Sequence, residues 1–75
     1  MPKVTPLDRQ WAHLMSLCEN ESRFVAEQRH PRLLRLVQRD IEALARDMGF
    51  SETAIATRDF RAERDGQRIV RIIAG

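Results

Sequence analysis

Cysteine occurs once in 75 residues, at Cys18, so the chain cannot close a disulfide within itself. Three glycines and three prolines are too few for a linker or a low-complexity tract. With 43% apolar residues, that scarcity argues against disorder. No apolar run approaches the roughly 20 residues that a membrane-spanning helix needs. The opening Met1-Pro2-Lys3-Val4-Thr5 holds no apolar stretch of the secretory type. With the lone thiol, this leads to the expectation of a cytoplasmic protein without a membrane partner.

Catalytic constellations are missing too. His13 lies five positions from Cys18 and on another helix face, which does not suit a thiol–imidazole nucleophile. Cys18, His13 and His30 follow no zinc-ligand spacing. No glycine-rich loop is present to cradle a phosphate. The acids of the middle segment alternate with arginines and read as a solvated face rather than an acid–base pair. The expectation is a protein that is not an enzyme, with no catalytic residues, no metal and no cofactor.

What the chain does have is arginine, which supplies twelve of its thirteen Lys and Arg residues. The net charge is only +2. Residues 1–31 hold four bases and four acids, and residues 32–57 hold four of each. Residues 58–75 hold Arg58, Arg61, Arg64, Arg68 and Arg71 against Asp59, Glu63 and Asp65, so the whole excess falls in the tail. Guanidinium forks suit phosphate and carboxylate recognition. A genome biased toward arginine codons gives the same count.

Hydrophobic spacing divides the chain into helices of one small domain spanning residues 1–75. Thr5-Pro6-Leu7-Asp8 is a start signal, with Thr5 as cap, Pro6 in the first helical position and Asp8 where a carboxylate reaches back. Leu7, Trp11, Leu14, Cys18 and Val25 then form a stripe, with Leu17 and Phe24 beside it. Trp11 and Cys18 belong to the core on this spacing, whereas His13 faces solvent. The spacing predicts one helix over residues 6–29; a break at Glu19-Asn20-Glu21-Ser22 is the alternative. His30 stands as an interhelix cap before Pro31, which disfavours helix at the preceding residue. A second helix over 32–48 carries Leu34, Val37, Ile41, Leu44 and Met48 inward. Its outer face carries Arg32, Arg35, Arg39, Glu42 and Arg46, with Glu42 and Arg46 spaced for an ion pair. Gly49 closes it, as glycine takes the left-handed conformation without strain. Ser51 caps a third helix over 51–57 that turns Ala54 and Ile55 inward.

Beyond Thr57 the helical stripe decays. Asp65-Gly66 is a hairpin signal. With Arg64-Asp65-Gly66 as the loop, Phe60 faces Val70, Asp59 faces Arg71 and Arg58 faces Ile72, giving a hairpin over about 58–73. The alternative is a third helix extended to Arg64, with Gly66 beyond its end. The fold class expected is mainly α (α+β): three helices, a helix-turn-helix-like corner and a short C-terminal β-hairpin.

The stretch Leu44, Ala45, Met48, Gly49, Phe50 and Ile55 resembles the helix-turn-helix of bacterial transcription regulators, over about twenty residues. Ser51-Glu52-Thr53-Ala54-Ile55 is similar to the start of the recognition helix in the DeoR type, though Arg58 replaces an expected apolar residue. That resemblance implies duplex DNA as partner. Ser51, Thr53, Thr57 and Arg58 would face bases, and Arg61 and Arg64 would face phosphates. Asp47-Met48-Gly49-Phe50-Ser51 also resembles a shorter segment of small YjiS-like bacterial proteins.

A competing expectation comes from burial. A domain this small covers a modest fraction of its surface, so a second chain can supply what is missing. Ile69-Val70-Arg71-Ile72-Ile73 is apolar on both sides of a strand, and the first helix is apolar over more width than one neighbour needs. Leu17, Phe24, Ile69 and Ile73 are the residues expected at a homodimer interface. The two functional expectations are a small DNA-binding or regulatory protein, and a dimerising protein-interaction module with no nucleic-acid role.

Overall fold

A computed structural model describes residues 5–73. Helix α1 spans Pro6–Glu27, α2 spans Pro31–Met48 and α3 spans Glu52–Thr57; strands β1 (Ala62–Asp65) and β2 (Arg68–Ile72) follow. The fold is therefore mainly helical with a two-stranded antiparallel sheet at its end.

Each boundary has a local cause. Thr5 and Asp8 form a reciprocal capping box: the Asp8 amide donates to Thr5 Oγ1 at 3.2 Å, and the Thr5 amide donates to Asp8 Oδ2 at 3.0 Å. These bonds satisfy two donors that the first helical turn leaves open. Helix α1 runs without a break through Glu19–Ser22 and ends at Gln28, which is left-handed at φ 54°. His30 occupies the cap position of α2 but makes no capping hydrogen bond with its side chain. Its ring meets the edge of Phe24 at 5.5 Å, and Nε2 lies 3.3 Å from Glu27. Gly49 ends α2 at φ 103°, and the Phe50 amide donates back to the Ala45 carbonyl at 3.0 Å. Ser51 Oγ accepts the Ala54 amide at 3.1 Å and starts α3.

The core lies where α1 crosses α2 and the corner closes over both. Leu14, Leu17, Ile41, Ala45, Phe50, Ala54 and Ile55 are buried together. Leu14 and Ile41 are fully enclosed. Ala45 is also wholly buried, which accounts for a methyl side chain where the α2–α3 turn folds back. Trp11, Cys18, Leu44, Met48 and Phe60 pack half-buried around this cluster, Trp11 and Cys18 thus at its margin.

The hairpin forms with a register different from the one expected. Its loop is Gly66-Gln67, and Gly66 is left-handed at φ 65°. Asp65 pairs with Arg68, Arg64 with Ile69, Glu63 with Arg71 and Ala62 with Ile72. The register shifts between Glu63 and Arg64, which leaves Val70 as an extra, unpaired residue in β2. This bulge exposes Val70 and turns Ile69 inward, to 54% and 6% exposure. Arg58, Asp59 and Phe60 precede β1 instead of pairing within it. Phe60 packs on Phe50 with ring centres 4.9 Å apart, so the core takes the residue that strand alternation had assigned to the sheet.

Asp8 ties the hairpin to the first helix. Its second oxygen, Oδ1, accepts the Ile69 amide at 2.9 Å. A carboxylate already holding the α1 cap thus also holds the free edge of β2. These hydrogen bonds, that from Ile69 foremost, keep its carboxyl below the usual carboxylate range.

Candidate interaction surfaces

The α2–Gly49–α3 corner has the shape the sequence indicates, but its polar residues are turned to structural work. Ser51 Oγ is engaged as the α3 cap. Thr57 Oγ1 donates to the Thr53 carbonyl at 2.9 Å, within the helix. Thr53 is exposed. Arg46 turns away from Glu42 and forks onto Glu52, with its shortest contact at 2.7 Å. Helix α3 is only six residues long, because Arg58 leaves the helix in the left-handed conformation at φ 57°.

Arg58 points inward rather than toward a ligand. Its Nε and Nη2 donate to the two carboxylate oxygens of Glu21 at 3.0 and 2.9 Å, and its Nη1 donates to the Ile55 carbonyl. The Glu21 and Arg58 side chains are 15% and 29% exposed, so water screens the pair only in part. Hydrogen bonds from Arg58 are the main reason the Glu21 carboxyl stays below its ordinary range, against the opposing effect of burial. Nearby Cys18 moves the other way: burial, then the Glu21 charge, raises its thiol and disfavours the thiolate. That suits a packing residue more than a nucleophile.

Two of the other four tail arginines have acid partners, whereas Arg64 and Arg68 are exposed and join no ion pair among the described residues. Arg61 pairs with Asp59 at 2.9 Å, and Arg71 pairs with Glu63 across the hairpin. Arg64 lies over the Trp11 ring, 5.6 Å from its centre. Of the six residues expected to contact nucleic acid, Thr53, Thr57, Arg61 and Arg64 are exposed, whereas Ser51 and Arg58 are half-buried.

Uncompensated positive charge gathers elsewhere. Among the described residues, Arg9, Arg23, Arg29, Arg32, Arg35, Arg39, Arg64 and Arg68 are exposed and join no ion pair, and four of these eight fall between residues 29 and 39. Arg32, Arg35 and Arg39 follow one another along the outer face of α2 and, with Leu36, line a shallow groove. Leu33 and Leu36 beside them are 46% and 53% exposed. Asp40 and Glu42 close this row at its C-terminal end. A second, apolar groove opens at the elbow between α1 and α2, lined by Phe24, Val25, Gln28, His30, Pro31 and Leu34. Summing charge along the sequence pointed to the tail, and missed this row because it could not show which arginines find partners.

The residues expected at a homodimer interface separate into two kinds. Leu17 and Ile69 are buried within this chain, at 8% and 6% exposure. Phe24 is half-buried and Ile73 is exposed. Among the described residues no group of three or more His, Cys, Asp or Glu side chains is placed to hold a metal. No described helix is long and apolar enough to cross a membrane. Comparison with protein-family models, curated proteins and solved structures finds no match to this chain.

Proposed function

We propose that this chain is a cytoplasmic, non-catalytic protein-interaction module that works by docking other polypeptides. The observation that carries this reading is the arginine–leucine face of α2. Exposed Leu36 lies one turn from both Arg32 and Arg39, with exposed Leu33 a turn before it, and these arginines join no ion pair among the described residues. Apolar side chains beside unmatched charge suit a protein surface, which offers both kinds of complement. The DNA-reading alternative gains less support, since Arg58 is held by Glu21 and Glu52 holds Arg46 at the start of α3. Phosphate neutralisation dominates affinity for DNA, and these contacts withdraw charge from that surface. A second copy of the chain is one admissible partner, for which Phe24 and Ile73 remain outside the core.

The test replaces Leu36 with a photoreactive side chain in the whole protein and irradiates it in extract of the cells that make it. Discrete protein adducts that disappear when Arg35 and Arg39 are reversed in charge are the expected result. In parallel, mixed-sequence duplex DNA is titrated at low salt. Salt-dependent DNA binding that is lost with Thr53→Ala and Arg61→Ala would overturn the proposal in favour of a DNA-binding regulator.

A further inference from the structure

The outer face of α2 has an order that narrows the partner. Arg32, Arg35 and Arg39 sit at i, i+3 and i+7, so they form one row along the helix. At 1.5 Å per residue the row is about 10 Å long. Leu36 borders the row and Leu33 lies one turn before it and further round the helix, 53% and 46% exposed, with Asp40 one turn beyond Leu36 on the same side. The inward residues Leu34, Val37, Ile41 and Ala45 occupy the opposite face, so this row is not part of the core stripe.

We propose that the α2 outer face docks an acidic amphipathic helix of a partner protein, its carboxylates meeting Arg32, Arg35 and Arg39 and its apolar side chains covering Leu33 and Leu36. This rests on the protein-interaction reading and specifies the chemistry of the partner. A second helix laid along α2 repeats its own side chains at the same rise, so acids spaced i, i+3 and i+7 meet the arginine row in register. Guanidinium forks take carboxylates with two parallel hydrogen bonds. The leucines then lose water against apolar neighbours on the partner.

Other occupants fit this face less well. A second copy laid face to face would set one arginine row against another, which like charge disfavours. Single-stranded nucleic acid is held by aromatic side chains on which bases stack; this face has none. Duplex phosphates would match the arginines but leave both leucines uncovered. A bilayer would take up a broad apolar stripe, and that of α2 is turned to the core.

The experiment titrates the whole protein with a labelled peptide designed as a helix with glutamates at i, i+3 and i+7 beside leucines. A peptide of the same composition in scrambled order and a mixed-sequence DNA duplex serve as the other arms. Expected is saturable binding of the phased peptide that weakens as salt rises. Affinity should fall at least about tenfold for the double variant Arg35→Glu/Arg39→Glu. It should fall about fivefold for Leu36→Ser, which keeps every charge. Circular dichroism identical to the parent confirms that these surface variants fold. Equal binding of the scrambled peptide, or no binding of the phased one by about 100 μM, overturns the proposal. If photo-adducts at position 36 persist in that case, only the partner chemistry fails and the interaction reading stands. Tighter binding of DNA, lost in the same double variant, removes both. Self-association in sedimentation that the Leu36→Ser change abolishes also overturns it, by assigning the face to a second copy.

Discussion

Arg58 ends α3 in a left-handed conformation and from there grips Glu21 in the middle of α1 with two guanidinium nitrogens, at 3.0 and 2.9 Å. The residues are 37 positions apart, so the contact fixes the corner to the first helix. A double-mutant cycle with Glu21→Gln and Arg58→Ala should give a coupling of about 1–2 kcal/mol in urea unfolding. That lies between the small value of exposed pairs and the larger loss when a buried pair is broken. Additive single effects would show that the pair adds nothing to stability.

Acid should reveal the same pair. The Glu21 and Asp8 carboxyls both lie below their ordinary range, held there mainly by hydrogen bonds from Arg58 and from the Ile69 amide. The unfolded chain therefore takes up protons first, at about pH 4. Their stabilisation is complete above that value and is lost as pH falls through the lower folded values. Stability measured between about pH 5 and pH 2 should fall more steeply for the parent than for Glu21→Gln or Asp8→Asn. Parallel curves would exclude these two groups as the cause of acid sensitivity.

Two non-glycine residues carry positive φ, Gln28 at 54° and Arg58 at 57°. An L side chain in this region costs roughly 1–2 kcal/mol, from which glycine is free. Gln28→Gly should raise stability by about 0.5–1 kcal/mol, after allowance for the greater freedom of the unfolded chain. Arg58→Gly should be less damaging than Arg58→Ala by a similar amount, although both lose the ion pair. Thermal melts of the four proteins check this, and equal melting of the Gly and Ala variants at position 58 would contradict it.

The sequence discloses the helices because their ends are chemically local. Thr5 with Asp8, Pro31, Gly49 and Ser51 each act within about one turn, and the apolar stripe between them has one period. The corner was legible for the same reason. The hairpin was legible as a hairpin from Asp65-Gly66, but its pairing depends on events outside the segment. Phe50 draws Phe60 out of the sheet, and a bulge at Val70 shifts every later pair. The fate of Arg58 was hidden similarly. Nothing near it in sequence announces that Glu21 will lie opposite, so an arginine in an apolar slot resembled a ligand-facing residue. The arginine row of α2 stands out for its spacing on one helix, since Arg64 and Arg68 of the tail also join no ion pair among the described residues.

Asp8 offers a test of the hairpin itself. With Asp8→Ala, the Ile69 amide loses its acceptor and α1 loses half of its capping box. Hydrogen exchange at Ile69 should accelerate strongly, along with amides of the first turn of α1, while α2 amides keep their protection. Unchanged exchange at Ile69 would show that the β2 edge is protected by packing alone.

Ile41 is fully enclosed between the helices, with Leu14 as its equal. Ile41→Ala should cost about 2–5 kcal/mol, a large share of what a domain this size possesses. Loss of cooperative melting, or a large fall in the urea midpoint, is the expected result. A fall of only a few tenths of a kcal/mol would mean that the core collapses around the smaller side chain.

The bond between Asp8 and Ile69 spans 61 residues, and that distance has a meaning during synthesis. Chains emerge from the ribosome N-terminus first, at about 5–20 residues per second. Helix α1 can wind and cap as soon as it is outside, but Asp8 Oδ1 has no strand to receive until β2 has emerged as well. Until the hairpin follows, the Trp11 ring lacks Arg64 and the core lacks Ile72. A chain cut short just before the hairpin would hold the sequence of every helix and lack this closure, the sticky form that chaperones and proteases detect.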